Sequence, residues 1–202
     1  MASAESPEGV IHRFASLLDA AGVPYMLTGS FASGFHGAPR ATQDIDIVIS
    51  PTLGSLNRLL RLLPDDKYYV SRDAALDAYS RESLFNVVDF ASGWKIDLIC
   101  RKARAFSVTE FERRSLHILG GLGVFVASAE DVVLAKLEWA KLAHSGRQIE
   151  DAASVLRIQG TKLNTSYINQ WVAQLGLDEE WLAAKSLTGE IGVSANVATP
   201  CR

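Results

Sequence analysis

The stretch "LTGSFASGFHGAPRATQDIDIVIS", residues 27–50, decides how the chain is read. It ends in a run of β-branched residues that carries two aspartates, Asp44 and Asp46. Carboxylates rarely lie in a core strand unless something pairs with them. Strand alternation removes the conflict. Asp44, Asp46 and Val48 face one way, and Ile45, Ile47 and Ile49 face the other. The isoleucines take the core, and the aspartates share the opposite face, about 7 Å apart along the strand. The segment "WKIDLIC" (94–100) repeats the pattern: Lys95, Asp97 and Ile99 on one side, Ile96, Leu98 and Cys100 on the other. If the two strands are neighbours in one sheet, Asp97 joins Asp44 and Asp46.

Three carboxylates that close repel, and one or two would hold protons unless a cation intervened. Mg²⁺ takes hard oxygen ligands and bridges one or two carboxylates to substrate phosphates. Two such ions clamp the entering and leaving oxygens of a phosphoryl displacement. A lone D-x-D is explained equally well by the wet face of an edge strand. "TGS" shifts the balance. Gly29 and Ser30 open a strand-to-helix turn whose peptide N–H groups suit phosphate oxygens. A Gly-Ser turn alone is usually only a turn; the combination with two carboxylates and a third on a later strand is far more specific.

Working outward, Ser6 and Pro7 read as an N-cap and first helical residue, and Gly22 as the stop. "PYMLT" reads as a strand, "GSFASGFHG" as a turn into a short helix, and "PTLGSLNRLLRLLP" as an amphipathic helix. "KYYVS" is a strand, "DAALDAYSRE" a helix, and "SLFNVVDF" pairs with "WKIDLIC" through the hairpin signal "ASG". "ARAFSVTEFERR" fits either loop or helix, and "SLHIL" and "GVFVAS" flank a second hairpin turn, "GGLG". From Ser128 onward only helices are expected, at 128–143, 147–159, 164–175 and 178–186. The expected fold class is α/β (α+β): residues 1–127 form a lobe with a mixed sheet flanked by helices, residues 128–188 a helical lobe, and residues 189–202 a flexible tail.

The 202 residues carry 20 Lys plus Arg against 23 Asp plus Glu, a net charge of −3, which argues against wholesale nucleic-acid wrapping. Cys100 and Cys201 make neither a disulfide framework nor a zinc pattern. "MASAESPEG" lacks a basic region followed by an apolar stretch, and no apolar run approaches ~18 residues, so neither a signal peptide nor a membrane span is expected. A cytoplasmic setting fits best.

Leu27-Thr28-Gly29-Ser30, thirteen intervening residues, Asp44-Ile45-Asp46 and then Asp97 resemble the pattern of the DNA polymerase β-like nucleotidyltransferase superfamily. Thr28 stands where that pattern has an apolar residue. "RATQDID" (40–46) resembles the bacterial branch of AbiEii-type toxins and minimal nucleotidyltransferases. The resemblance covers about residues 23–160. It implies transfer of a nucleoside monophosphate from an NTP to an acceptor, with release of pyrophosphate. Gly29 and Ser30 would hold the triphosphate, Asp44 and Asp46 both Mg²⁺ ions, and Asp97 the catalytic metal and the acceptor hydroxyl. The branch adds a lysine and a later aspartate, matched here by Lys136 and Asp151. It leaves open whether the acceptor is RNA, protein or a small molecule, and whether an antitoxin-like protein partner or a phage-defence role applies. A catalytically silent nucleotide- or partner-binding module on the same fold is the alternative.

The residues weigh these assignments independently. Ser128 and Asp131 mark a helix start, and Lys136 then lies among Val132, Val133, Trp139 and Ala140, on an apolar face where it either snorkels or points at phosphates. Asp151 has Arg147 at i−4, and an exposed ion pair explains both. Arg40 and Thr42, just before that strand, are candidate nucleotide-binding residues that either order the loop or touch phosphate, ordering being favoured. His36 is expected to pack or hydrogen-bond. "RKAR" (101–104) reads as a solvated charge run ahead of a basic patch. Trp139, Trp171 and Trp181 read as core, Trp94 as a possible flank of the pocket, and Glu138 and Glu150 as surface charges.

Overall fold

The computed structural model describes residues 6–42 and 44–189. The expected tail lies outside these apart from its first residue, as does Cys201. Among the described residues the first half alternates helices and strands: α1 (Pro7–Ala21), β1 (Tyr25–Leu27), α2 (Gly29–His36), β2 (Asp44–Ile49), α3 (Leu53–Arg61), β3 (Tyr68–Val70), α4 (Arg72–Arg81), β4 (Leu84–Asp89) and β5 (Lys95–Cys100). There follow α5 (Ala105–Glu112), β6 (Ser115–Leu119) and β7 (Leu122–Val126), and then α6 (Ala129–Ala143), α7 (Gly146–Gln159), α8 (Thr165–Leu175) and α9 (Asp178–Leu187). The segment that fitted either loop or helix is helical, as α5.

Local chemistry sets the boundaries. The Ser6 hydroxyl accepts from the Gly9 N–H, Pro7 occupies the first helical turn, and Gly22 ends α1 in the left-handed region. Thr52 and Ser55 form a reciprocal capping box on α3. The Ser128 hydroxyl caps α6 by accepting from the Asp131 N–H at 3.2 Å.

The seven strands form one mixed sheet in the order β3-β4-β5-β2-β1-β7-β6. β2 runs parallel to β5 and antiparallel to β1, so the strands bearing the D-x-D and Asp97 are immediate neighbours. Their register places Asp46 opposite Asp97 and Asp44 opposite Lys95. Ile45, Ile47 and Ile49, with Ile96 and Leu98, are buried in one continuous cluster that also takes in Phe14 of α1, Leu59 of α3, Leu137 of α6 and Trp171 of α8. α2 contacts β2, α6 and α7, and so carries its first residues into the angle between the sheet and the later helices. No helix among the described residues is long and apolar enough to cross a membrane.

Candidate active site

Gly29 adopts φ +62°, the left-handed region that disfavours any residue with a Cβ. It also has no room for one. A Cβ built there would lie 2.5 Å from Cγ and 2.7 Å from Cβ of Asp46. The "GS" turn and the D-x-D strand are therefore in direct contact. The Thr28 N–H donates to the Asp46 carbonyl at 3.0 Å, and the nearby Ser30 backbone N–H favours the ionised Asp46 carboxylate. The amide at the helix start thus already serves a carboxylate.

The environment of Asp46 is electrostatically costly. Burial pushes its carboxyl above the ordinary value and Asp97 pushes it further, while the charge of Lys136 and the Ser30 N–H pull it back down. Asp97 accepts from the Asn86 amide at 2.5 Å, its antiparallel neighbour on β4. The Lys95 ammonium sits between two carboxylates, 3.3 Å from Asp44 Oδ1 and 3.1 Å from Asp97 Oδ2. Bonds to Asp97 and Asp44 raise the Lys95 pKa against the opposing effect of burial.

A second cluster forms behind Ser30. Lys136 and Asp151 are both buried, 4% and 8% exposed, and the ammonium donates to Asp151 Oδ2 at 2.8 Å. Arg40 grips the same carboxylate from Nε (2.8 Å) and Nη2 (3.0 Å), and its Nη2 also donates to the Ser30 hydroxyl at 2.6 Å. Burial alone would raise the Asp151 pKa, but the bonds from Arg40 and Lys136 outweigh it and hold it below the usual carboxylate value. The i,i+4 pairing of Asp151 with Arg147 does not form: the carboxylate faces inward to the buried Lys136 and the half-buried Arg40, and Arg147 is exposed. Lys136 does not snorkel either, since its ammonium is buried against Asp151.

These side chains line two adjoining cavities. One, of about 240 Å³, is walled by Gly29, Ser30, Asp46, Asp97, Lys136 and Trp139. The other, of about 540 Å³, is bordered by Ser30, Arg40, Thr42, Asp44, Arg147 and Gln148. Thr42 bonds the Asp44 backbone through its hydroxyl and so orders the entry to β2.

Other placements differ from expectation. Trp139 is 52% exposed at the cavity wall, whereas Trp171 and Trp181 are core. Glu138 is not a free surface charge: both its oxygens take bonds from Arg104 at 2.6 Å. Arg101 donates to the Ser50 hydroxyl, so two of the three cations in "RKAR" are engaged inside the chain. Trp94 packs on Phe31. His36 bonds the Ala127 carbonyl at 2.7 Å, and Glu150 is exposed. Asn86, Lys95 and Gln148 were not singled out as site residues. A polar residue interrupting the apolar "SLFNVVDF" was the only signal for Asn86.

The donor set fits a hard divalent cation: carboxylate oxygens on one face of two adjacent strands, with surplus negative charge at Asp46 and an ammonium standing between Asp44 and Asp97. Among the described residues no three carboxylate, imidazole or thiol groups converge on one point; Asp44 and Asp97 contact Lys95, and Asp97 also Asn86.

No protein-family model matches the chain, and no curated protein sequence does. Solved structures do resemble it. An antigenic nucleotidyltransferase-like protein from Paracoccidioides brasiliensis superposes with a TM-score of 0.54 at 17% identity, over 87% of this chain and 92% of its own. The antibiotic-resistance factor ANT(2'')-Ia in solution gives 0.55 at 14% identity, over 91% and 97%. ANT(2'')-Ia in complex with adenylyl-2''-tobramycin gives 0.55 at 15%, over 86% and 98%. At these identities the likeness is one of fold, and the fold is nucleotidyltransferase-like.

Proposed function

We propose that the protein is a Mg²⁺-dependent nucleotidyltransferase that moves a nucleoside monophosphate from an NTP to a hydroxyl-bearing small molecule. The observation that carries this is the register of β2 and β5, which sets Asp46 beside Asp97, with the Gly29–Ser30 turn closed on Asp46. Asp44, Asp46 and Asp97 would hold the metal, which when bound neutralises charge on the phosphoryl group. Gly29 and Ser30 would seat the triphosphate, with Arg40 and Lys136, both held by Asp151, beside it. Thr42 orders the strand entry. Asp97 would accept the acceptor's proton as the acceptor oxygen bonds to the α-phosphorus and the bond to the pyrophosphate oxygen breaks.

A small acceptor is favoured over RNA because Arg101 and Arg104 are engaged by Ser50 and Glu138, which takes two of the three cations of "RKAR" out of reach of a nucleic-acid backbone. The ligand of the similarly folded ANT(2'')-Ia, an adenylylated aminoglycoside, is of the same class. The "RATQDID" resemblance supports the rival setting, an RNA- or protein-modifying toxin with an antitoxin-like partner.

Incubation with each labelled NTP, Mg²⁺ and separate pools of small molecules, RNA and protein tests both. Label is expected in the small-molecule pool and absent with Asp44→Ala or Asp46→Ala, both folded. Label in RNA or protein would move the acceptor assignment. No transfer, with no Mg²⁺-dependent thermal stabilisation by any NTP, would favour the silent binding module.

A further inference from the structure

The proposed metal site already contains a cation of its own. Lys95 lies directly across the parallel pair from Asp44 and two residues before Asp97 on the same face of β5. Its ammonium therefore bridges the two carboxylates that flank Asp46. We propose that Lys95 is a placeholder cation: it holds the carboxylates together in the metal-free protein, resists bare divalent ions, and yields the site to metal that arrives with a polyphosphate. This rests on the metal assignment above.

Three observations support the exchange. First, the paired backbones are locked in one sheet, so only a side chain must move. Lysine suits that role, being a compact charge on a flexible four-carbon stem. Second, the lysine is 40% exposed and Asp44 47%, so the bridge is weak enough to break and has solvent to move into. Third, the neighbouring cations are not free to substitute for it. Lys136 and Arg40 are both committed to Asp151. Displacement by a bare ion is opposed, because Lys95 loses two anionic partners and the incoming ion sheds water reluctantly. A bound polyphosphate offers the ammonium a new anion, so displacement then costs less.

The test is a titration of nucleotide-free protein with Mn²⁺, followed by the electron paramagnetic resonance of the free ion. Lys95→Met is expected to bind Mn²⁺ about tenfold tighter than the wild type, the scale set by one exposed and one half-buried ion pair, and Lys95→Arg about as tightly as the wild type. Calorimetry with the Mn²⁺–tripolyphosphate complex is expected to show the opposite order, Lys95→Met binding more weakly. Unchanged or weaker Mn²⁺ binding by Lys95→Met overturns the proposal while leaving the metal site in place. So does tightening of both ligands. If neither wild type nor variant binds Mn²⁺, or if Asp46→Asn leaves the titration unchanged, the metal assignment itself fails. Lys95→Gln repeats the measurement should the methionine variant fold poorly.

Discussion

Substituting Gly29 by alanine tests the contact between the turn and β2. Two costs follow from the geometry. Alanine at φ +62° carries the left-handed penalty, about 1–2 kcal/mol. Its Cβ must also push the Asp46 side chain away, since the built atom lies 2.5 Å from Cγ. That movement also takes the carboxylate away from the Ser30 N–H that favours it, at a cost of about 1.5 kcal/mol. Together the loss is about 3 kcal/mol, or a melting temperature lower by roughly 6–12 °C for a chain of this size. Urea unfolding and calorimetry measure it, and Mn²⁺ binding reads the displaced carboxylate separately. A double-mutant cycle isolates the contact. In an Asp46→Ala background most of the clashing atoms are gone, so Gly29→Ala should cost at least about 1 kcal/mol less there. Strict additivity, or a Gly29→Ala protein that melts and binds metal like the wild type, would refute the argument.

Three further outcomes are expected. Asp151→Asn strands the buried Lys136 ammonium and should destabilise by about 3 kcal/mol in urea unfolding; the wild-type contribution, from a carboxyl held low in the folded state, is present above the unfolded carboxylate pKa and disappears as pH falls through the folded one. Asp46 has the opposite sign: its raised folded-state pKa means this group binds more protons when folded, so its contribution to stability should fall as pH rises from about 4 towards its raised value, and Asp46→Asn should remove that contribution from the wild-type profile. An identical pH profile for the variant would count against the desolvated carboxylate. Trp139→Ala removes a half-exposed wall of the cavity, so KM for one substrate should rise about tenfold while stability changes by less than about 1 kcal/mol.

What was legible in the sequence was whatever depends on neighbours a few residues away. Alternation in "DIDIVI" and "KIDLIC" assigned each side chain to its face because the strand period is local. The caps at Ser6, Gly22 and Ser128 are local for the same reason. Contacts across the fold were not legible. Arg40 reaches Asp151 over 111 positions, and no spacing rule anticipates that. The i,i+4 rule offered Arg147 instead, but an exposed helical pair is worth only a few tenths of a kcal/mol, and a half-buried bidentate guanidinium outcompetes it. Trp139 was misjudged because helical spacing identifies a side of α6 without saying what covers that side. The bridge from Lys95 to Asp44 depends on the parallel register of β2 and β5, a tertiary fact.

The placement of charge explains how the four carboxylates of the candidate site are held in place. Lys95 is divided between Asp44 and Asp97; Arg40 and Lys136 share Asp151. Asp46 alone among these four carboxylates has no ion-pair partner among the described residues, only a backbone N–H and the more distant charge of Lys136. Burial and the charge of Asp97 hold its carboxyl above the ordinary value. Had Asp151 been absent, Lys136 would be free to pair with Asp46, and the most buried carboxylate of the D-x-D would be neutralised from within. By holding Lys136 and Arg40 back, Asp151 leaves Asp46 short of positive charge. A site with that deficit at its centre, and displaceable lysine at its edge, favours an incoming cation over internal closure.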